Sequence, residues 1–398
     1  MFSKVAAYAG DPILSLNEDF QRDQRTGKVN LTIGIYFDAA GRVPVLESVH
    51  QAEHQLREAA GPRPYLPMAG LPGYRTGVQR LVFGEDSAVV REGRVATIQS
   101  LGGGGALKVG ADFLKSTFAD AKVWVSDPTW DNHRVVFERA GFEVRSYPYY
   151  DATTGRLRFD ALLDAVRNIP RGDIVLLHAC CHNPTGVDLT PAQWSLLADA
   201  MHAGGLLAFV DMAYQGFGDS LDDDAFAIRE FVRQEVPLLV ANSFSKNFSL
   251  YGERCGGLSV VCANAGEADR VLGQLCNAVR GNYSNPPTYG ASVVLSILNS
   301  DALFSMWRRE LEQMKMRIAT MRRSIHDHLS ARIPGASLSR YLEQRGMFTY
   351  TGLSPEQVDV LRETHGIYLV RSGRMCVAGL NESNVAIVAD AIAAVMKS

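Results

Sequence analysis

The sequence lacks a marked excess of either charge. Its 40 Lys and Arg stand against 43 Asp and Glu, a formal net charge of −3. A nucleic-acid binder normally shows a basic surplus, so that class is disfavoured. No apolar run approaches the ~20 residues a membrane span needs. The opening MFSKVAAYAGDPILSL carries one lysine and no adequate apolar stretch before Asp11, so it does not read as a signal peptide. Internal repeats, low-complexity tracts and flexible linkers are missing too. Cysteine is scarce, and Cys180, Cys181, Cys255, Cys262, Cys276 and Cys376 form no CxxC pair. They read as buried free thiols of a cytoplasmic protein. His182 beside Cys181 invites a Cys–His nucleophile, but neighbours on an extended strand point to opposite faces.

What is present is an ordinary globular composition, 46% hydrophobic and 21% charged over 398 residues. That length suits two or three domains, each able to bury a core. Between about residues 94 and 262, apolar runs (RVATIQ, KVWVSD, FEVRSYPYY, DIVLLHACC, LLAFVDMAY, PLLVANSFSK, GGLSVVC) alternate with amphipathic stretches such as TPAQWSLLADAMHAGG. The pattern predicts an α/β fold, a mostly parallel sheet covered by helices on both faces. Leu303, Trp307, Leu311, Met314, Ile318, Met321, Ile325 and Leu329 step by three or four and predict one long helix. The tail reads as a smaller α+β unit.

In open parallel sheets ligands bind beyond the carboxyl ends of the strands. Those ends supply a glycine loop at Gly102–Gly105 before a helix, then Trp130, Asn183, Asp211 with Tyr214 just beyond, and Ser243 with Lys246. Each is weak alone; their convergence on one edge is the signal. Backbone N–H groups at a helix start, hydroxyls and a cation suit a phosphate. A strand-end carboxylate can hold a protonated ring nitrogen, and a strand-end lysine can form a Schiff base. Pyridoxal 5′-phosphate (PLP) uses all three.

The segments HNPTG, DMAYQGF, SFSKNFSLYGER, RGNYSNPP and SGRMCVAG resemble the class I, fold-type I PLP-dependent aminotransferases over essentially the whole chain. LGGGGALKVGADF, VWVSDPTWDNH and SFSKNFSLYGERCGGLSV look most like the bacterial aromatic-amino-acid branch, sister to aspartate aminotransferase. The resemblance implies an N-terminal arm and part of a small domain over 1–45, a large PLP-binding domain over 46–305, and a connecting helix with the rest of the small domain over 306–398. It implies that Lys246 holds PLP and then shuttles the substrate's proton. Asp211 would pair with the ring nitrogen, Asn183 and Tyr214 would donate to the phenolic oxygen, and Trp130 would stack on the ring. Ser243, Arg254 and the Gly103–Gly104 amides would cradle the phosphate, with Tyr65 arriving from the other subunit of a homodimer. Gly104 stands where many relatives carry Thr or Ser, so one hydroxyl donor is lost. Arg374 would clamp the substrate α-carboxylate, beside Gly34, whose missing side chain allows close approach. Arg280 would cross from the neighbouring subunit to the distal carboxylate of aspartate, glutamate or 2-oxoglutarate. A buried guanidinium facing an uncharged ring is costly, so Arg280 is expected to shift or rehydrate when phenylalanine or tyrosine binds.

Two other classes fit less well. A nicotinamide dehydrogenase needs G-x-G-x-x-G, and Ala106-Leu107-Lys108 after the glycines breaks it, although Asp127 sits where a ribose-binding acid belongs. An aminotransferase-like module of a transcription regulator would need a fused DNA-binding domain, for which there is neither room nor basic charge.

Overall fold

Seven short aliphatic runs build the central sheet: β1 Val95–Leu101, β2 Val123–Asp127, β3 Val144–Pro148, β4 Ile174–His178, β5 Leu207–Met212, β6 Leu238–Ser243 and β7 Cys255–Val261. The computed structural model describes residues 2–6, 10, 13–59 and 61–397, Leu14 without its side chain. Of the arm expected over 1–45, positions 1, 7–9, 11 and 12 therefore lie outside the described residues, as do Ala60 and Ser398. The spatial order is β1-β7-β6-β5-β4-β2-β3. The pairs β2–β3, β2–β4, β4–β5 and β5–β6 are parallel, while β7 runs antiparallel to both its neighbours. Every residue of β4 is buried, as expected where helices cover both faces.

Five helices matter for the site: α1 Gly102–Thr117, α2 Asp131–Arg139, α3 Pro191–Gly204, α4 Ala265–Asn282 and α5 Asp301–Arg332. Helix α1 buries Leu107, Val109, Phe113 and Leu114 in a core shared with Ile98, Phe209 and Leu258. The glycines expected as a loop before α1 are instead its first turn. Gly102 reverses the chain at φ +67° and donates its N–H to Arg254 O at 2.8 Å, so no separate loop is needed. Thr190 and Gln193 form a reciprocal capping box at the start of α3, a device worth ~1 kcal/mol.

By internal packing the chain divides into two units, Pro44–Met316 and Met1–Val43 with Arg317–Ser398. The smaller unit pairs β8 Phe348–Tyr350 antiparallel with β9 Arg374–Cys376, in the register Phe348↔Cys376 and Tyr350↔Arg374. A two-residue parallel bridge joins Val29–Asn30 to Ile367–Tyr368, and a helix at Pro355–His365 begins with the capping box of Ser354 and Gln357. Helix α5 spans the boundary, and its stepped apolar positions are buried along its whole length. Among the described residues no helix is long and apolar enough to cross a membrane.

Candidate active site

The larger unit gathers its polar groups at one edge of the sheet. Strands β1, β4, β5 and β6 end there, with His178 in register with Asp211, and Met212 with Asn242. Because β7 is antiparallel, it starts where they end: Cys255 pairs with Leu101 and Gly256 with Ser243. Arg254, just before β7, is therefore delivered to the same edge as the first turn of α1.

The floor of this edge is Asp211, 6% exposed. His133 Nε2, on α2, lies 3.0 Å from Asp211 Oδ2; a carboxylate has no proton to give, so the ring N–H donates. Oδ1 is buried and has no hydrogen-bond partner among the described residues. Burial alone would push this carboxyl up, but the hydrogen bond from His133 and the charge of Lys246 hold it below the usual carboxylate range. Behind it, the Thr129 hydroxyl bridges His133 Nδ1 at 2.8 Å and His178 Nε2 at 3.3 Å. Burial brings His178 down to about 3 and holds His182 well below the ordinary histidine range. His182 is not aimed at Cys181. Its ring nitrogens pair with Ser126 Oγ at 2.9 Å and Thr185 Oγ1 at 2.8 Å, and its ring stacks on Tyr149. Cys181 lies beyond the end of β4 with φ +51°, so the extended-strand argument does not apply to it.

A second cluster meets the start of α1. Ser245 N donates to Ser243 Oγ at 3.2 Å, and the two hydroxyls are 3.1 Å apart. Arg254 Nη1 lies 3.5 Å from Ser245 Oγ. A side chain on Gly102 would put its Cβ 2.7 Å from Arg254 Nη2, and one on Gly103 would meet Ser243 Cβ at 3.1 Å. At Gly104 a Cβ would meet nothing within 4 Å. Helix-start amides, two hydroxyls and a guanidinium form a set suited to a dianion.

Lys246 follows Ser245 of this second cluster directly and is half-buried, its Nζ 5.0 Å from the ring centroid of the buried Tyr214. Its neighbours are pinned. Asn247 Nδ2 donates to Gln215 O at 3.2 Å, Trp307 Nε1 donates to Asn247 O at 2.7 Å, and Phe248 stacks on Trp307. Asn183 is buried, and Trp130 is partly buried with its ring edge-on to His133. Tyr65 and Arg280, in the same unit, point outward: Tyr65 is 92% exposed, and the exposed Arg280 donates to Ser284 Oγ.

The smaller unit carries Arg374 and Gly34. Arg374 is 4% exposed, donates from Nη2 to Thr32 O at 2.7 Å, and lies over the Phe348 ring. A Cβ on Gly34 would fall 2.7 Å from Phe348 Cζ. Sequence reasoning missed His133 and Phe348 and assigned no role to Thr129 and Ser245, which stand beside Trp130 and Lys246 at the strand ends. Thr129 and His133 flank Trp130, and a one-turn spacing between them was the available signal.

Comparison with known proteins identifies the family. The family described as aminotransferase class I and II matches residues 26–392. The aromatic-amino-acid aminotransferase of Escherichia coli K12 is 55% identical over 397 residues, covering 100% of both chains. A crystal structure of an aromatic amino acid aminotransferase from Burkholderia cenocepacia superposes with a TM-score of 0.96 at 64% identity, covering 100% of this chain and 99% of that one. An aromatic-amino-acid aminotransferase from Burkholderia pseudomallei, described as covalently bound to pyridoxal phosphate, gives a TM-score of 0.97 at 50% identity, with 99% of each chain covered. With its mostly parallel sheet, its strand-end lysine and carboxylate, and matches of this length, the chain belongs to the class I and II aminotransferases and has their fold-type I α/β architecture.

Proposed function

We propose that this protein is a PLP-dependent aminotransferase that moves the amino group of phenylalanine, tyrosine and aspartate to 2-oxoglutarate. One structural observation carries the cofactor reading: a buried, anionic Asp211 whose Oδ1 is left for a donor that the described residues do not supply. A protonated ring nitrogen meets that need, and the Gly103, Gly104, Ser243 and Arg254 cluster suits the phosphate. The residues present therefore fit PLP. The aromatic preference is supported by the 55% and 64% identities to aromatic-amino-acid aminotransferases.

When bound, PLP supplies an electron sink for the carbanion at the amino acid's α-carbon. Lys246 would hold the cofactor and supply the amine that carries a proton away from the substrate α-carbon. Asp211 would keep the ring nitrogen protonated, while Asn183 and Tyr214 would donate to the phenolic oxygen and Trp130 would cover the ring face. Arg374 takes the α-carboxylate through two parallel N–H donors. The working unit is a homodimer in the cytoplasm. The outward-facing Tyr65 and Arg280 support it, since the partner subunit's Tyr65 would complete the phosphate site and the partner subunit's Arg280 the distal carboxylate site.

The test is a kcat/KM panel of phenylalanine, tyrosine, tryptophan and aspartate with 2-oxoglutarate, run beside borohydride reduction and peptide mapping. Label on Lys246 with efficient aromatic turnover is the expected result. Turnover of aspartate alone would remove the aromatic reading, and label elsewhere would remove the chemistry. Arg280→Leu sharpens the substrate side: kcat/KM for aspartate and glutamate should fall by about 100-fold, as for a lost charge-assisted pair. Phenylalanine should change by less than about 5-fold, because its ring has no charge to meet.

A further inference from the structure

The role given above to Arg374 leaves open what orients its guanidinium, and here the smaller unit is informative. The guanidinium carbon sits 4.3 Å from the centroid of the Phe348 ring. That ring is 3% exposed, so it cannot swing into solvent. On its far edge is Gly34, where a Cβ would come within 2.7 Å of Phe348 Cζ, much closer than atoms in contact. The main chain under the ring is tied down as well. Arg322, 5% exposed, donates from Nη2 to Gly346 O at 2.8 Å, to Arg345 O at 3.2 Å and to Phe348 O, and Nη1 lies 3.4 Å from Tyr341 O. The β8–β9 register then places Phe348 and Arg374 on adjacent, diagonally related positions.

We propose that Phe348 is the positioning residue for Arg374, and that Gly34 lacks a side chain to make room for the Phe348 ring. The inference rests on the reading that Arg374 receives the α-carboxylate. With its carbon 4.3 Å from the ring centroid, the guanidinium has one side covered by Phe348, and Nη2 is held by Thr32 O. A carboxylate is then left the remaining N–H edge, the side on which a bidentate pair forms. Phe348 backs the guanidinium, Arg322 holds the Phe348 main chain, and Gly34 leaves the ring unpushed.

The experiment is a double-mutant cycle of Gly34→Ala and Phe348→Leu in the holoenzyme, read with two ligands. 3-Phenylpropanoate carries the carboxylate without the amine; phenethylamine carries the amine without the carboxylate. Gly34→Ala should weaken 3-phenylpropanoate about 10-fold by displacing the ring and with it Arg374. The same change in the Phe348→Leu background should cost less than about 2-fold, since leucine does not reach the new methyl. Phenethylamine should stay within about 2-fold in every variant, which a general loss of fold would not allow. Phe348→Met, whose flexible thioether fills irregular gaps, enters the cycle if the leucine variant does not fold. Equal losses from Gly34→Ala in both backgrounds, or parallel losses for both ligands, would overturn the proposal. Arg374→Lys separates the underlying reading: if it leaves 3-phenylpropanoate binding intact, Arg374 does not hold the carboxylate, whatever the cycle shows.

Discussion

The two ends of the sheet-edge site are built differently. Around Asp211 the contacts come from the buried His133 on α2, the half-buried Thr129 before it, and the buried His178 at the end of β4. Around Gly102–Gly104 they come from a helix start, two serine hydroxyls and one exposed arginine. The first end holds one charge in one place, in a low dielectric where a lost bond is costly. The second collects several weaker donors, none of which must carry the whole load. A substitution at the first end should therefore act on chemistry, and one at the second on cofactor retention.

That contrast can be broken most sharply at Asp211. Asp211→Ala should lower kcat by about 10³-fold, as removal of a preorganised electrostatic partner does, while apoenzyme titration still detects PLP binding. Arg254→Gln should do the reverse. It should weaken PLP binding by about 10–100-fold, the worth of a charge-assisted hydrogen bond, measured by fluorescence titration, with kcat at saturating cofactor nearly kept. If both variants lost kcat and affinity in equal proportion, the two ends would not be separable.

A pH experiment probes the buried end alone. His178 titrates near 3 in the folded protein because burial disfavours its charge, whereas the unfolded chain takes up that proton near 6.5. Stability from this group is therefore complete above about pH 6.5 and declines as pH falls toward 3, with a slope of about 1.4 kcal/mol per pH unit. His178→Asn should remove that slope between pH 6.5 and 4.5 in denaturant titrations. Asp224 works in the opposite sense. Burial raises it to about 6, despite backbone N–H donors from Gly216, Gly218 and Asp219, so its contribution falls as pH rises from about 4 to 6. The comparison must be made between variants at each pH rather than from the parent's curve. The smallest expected effect is at the open end. A side chain at Gly104 meets nothing within 4 Å, so Gly104→Ser should be tolerated and tighten PLP binding by about 3–10-fold, one added hydroxyl donor to the phosphate less the water it gives up.

These differences also explain what could be read from the amino-acid order. Groups at strand ends stood out because the alternation of apolar runs and turns marks where each strand stops, and Lys246, Asp211 and Asn183 sit at or just past those stops. Fold class and the long α5 followed from periodicity in the same way. His133 did not stand out, because a buried histidine on a short helix has no periodic signature until the helix packs beside β2 and β3 and the ring reaches Asp211. Ser245 looked like one more loop hydroxyl between Ser243 and Lys246. Phe348 was hidden more thoroughly: in MFTYTGL it is an ordinary apolar strand residue, and only the pairing with β9 brings it under Arg374. Even the glycine run was misread locally, as a loop rather than a helical turn, since propensity disfavours glycine in helices and says nothing about a φ of +67° at the junction.

The reversal of β7 has a consequence for how this protein can change over evolutionary time. A strand of seven residues covers ~23 Å, so a parallel β7 would have left its preceding arginine on the opposite rim. Turning it round places a lysine and an arginine on a single connection, residues 244–254, between β6 and β7. Both are then hostage to the length of that one stretch: a single inserted or deleted residue would shift one relative to the other. Loops on the opposite rim of the sheet are free to drift in size, whereas this one is expected to tolerate substitutions at exposed positions such as Gly252 but not indels.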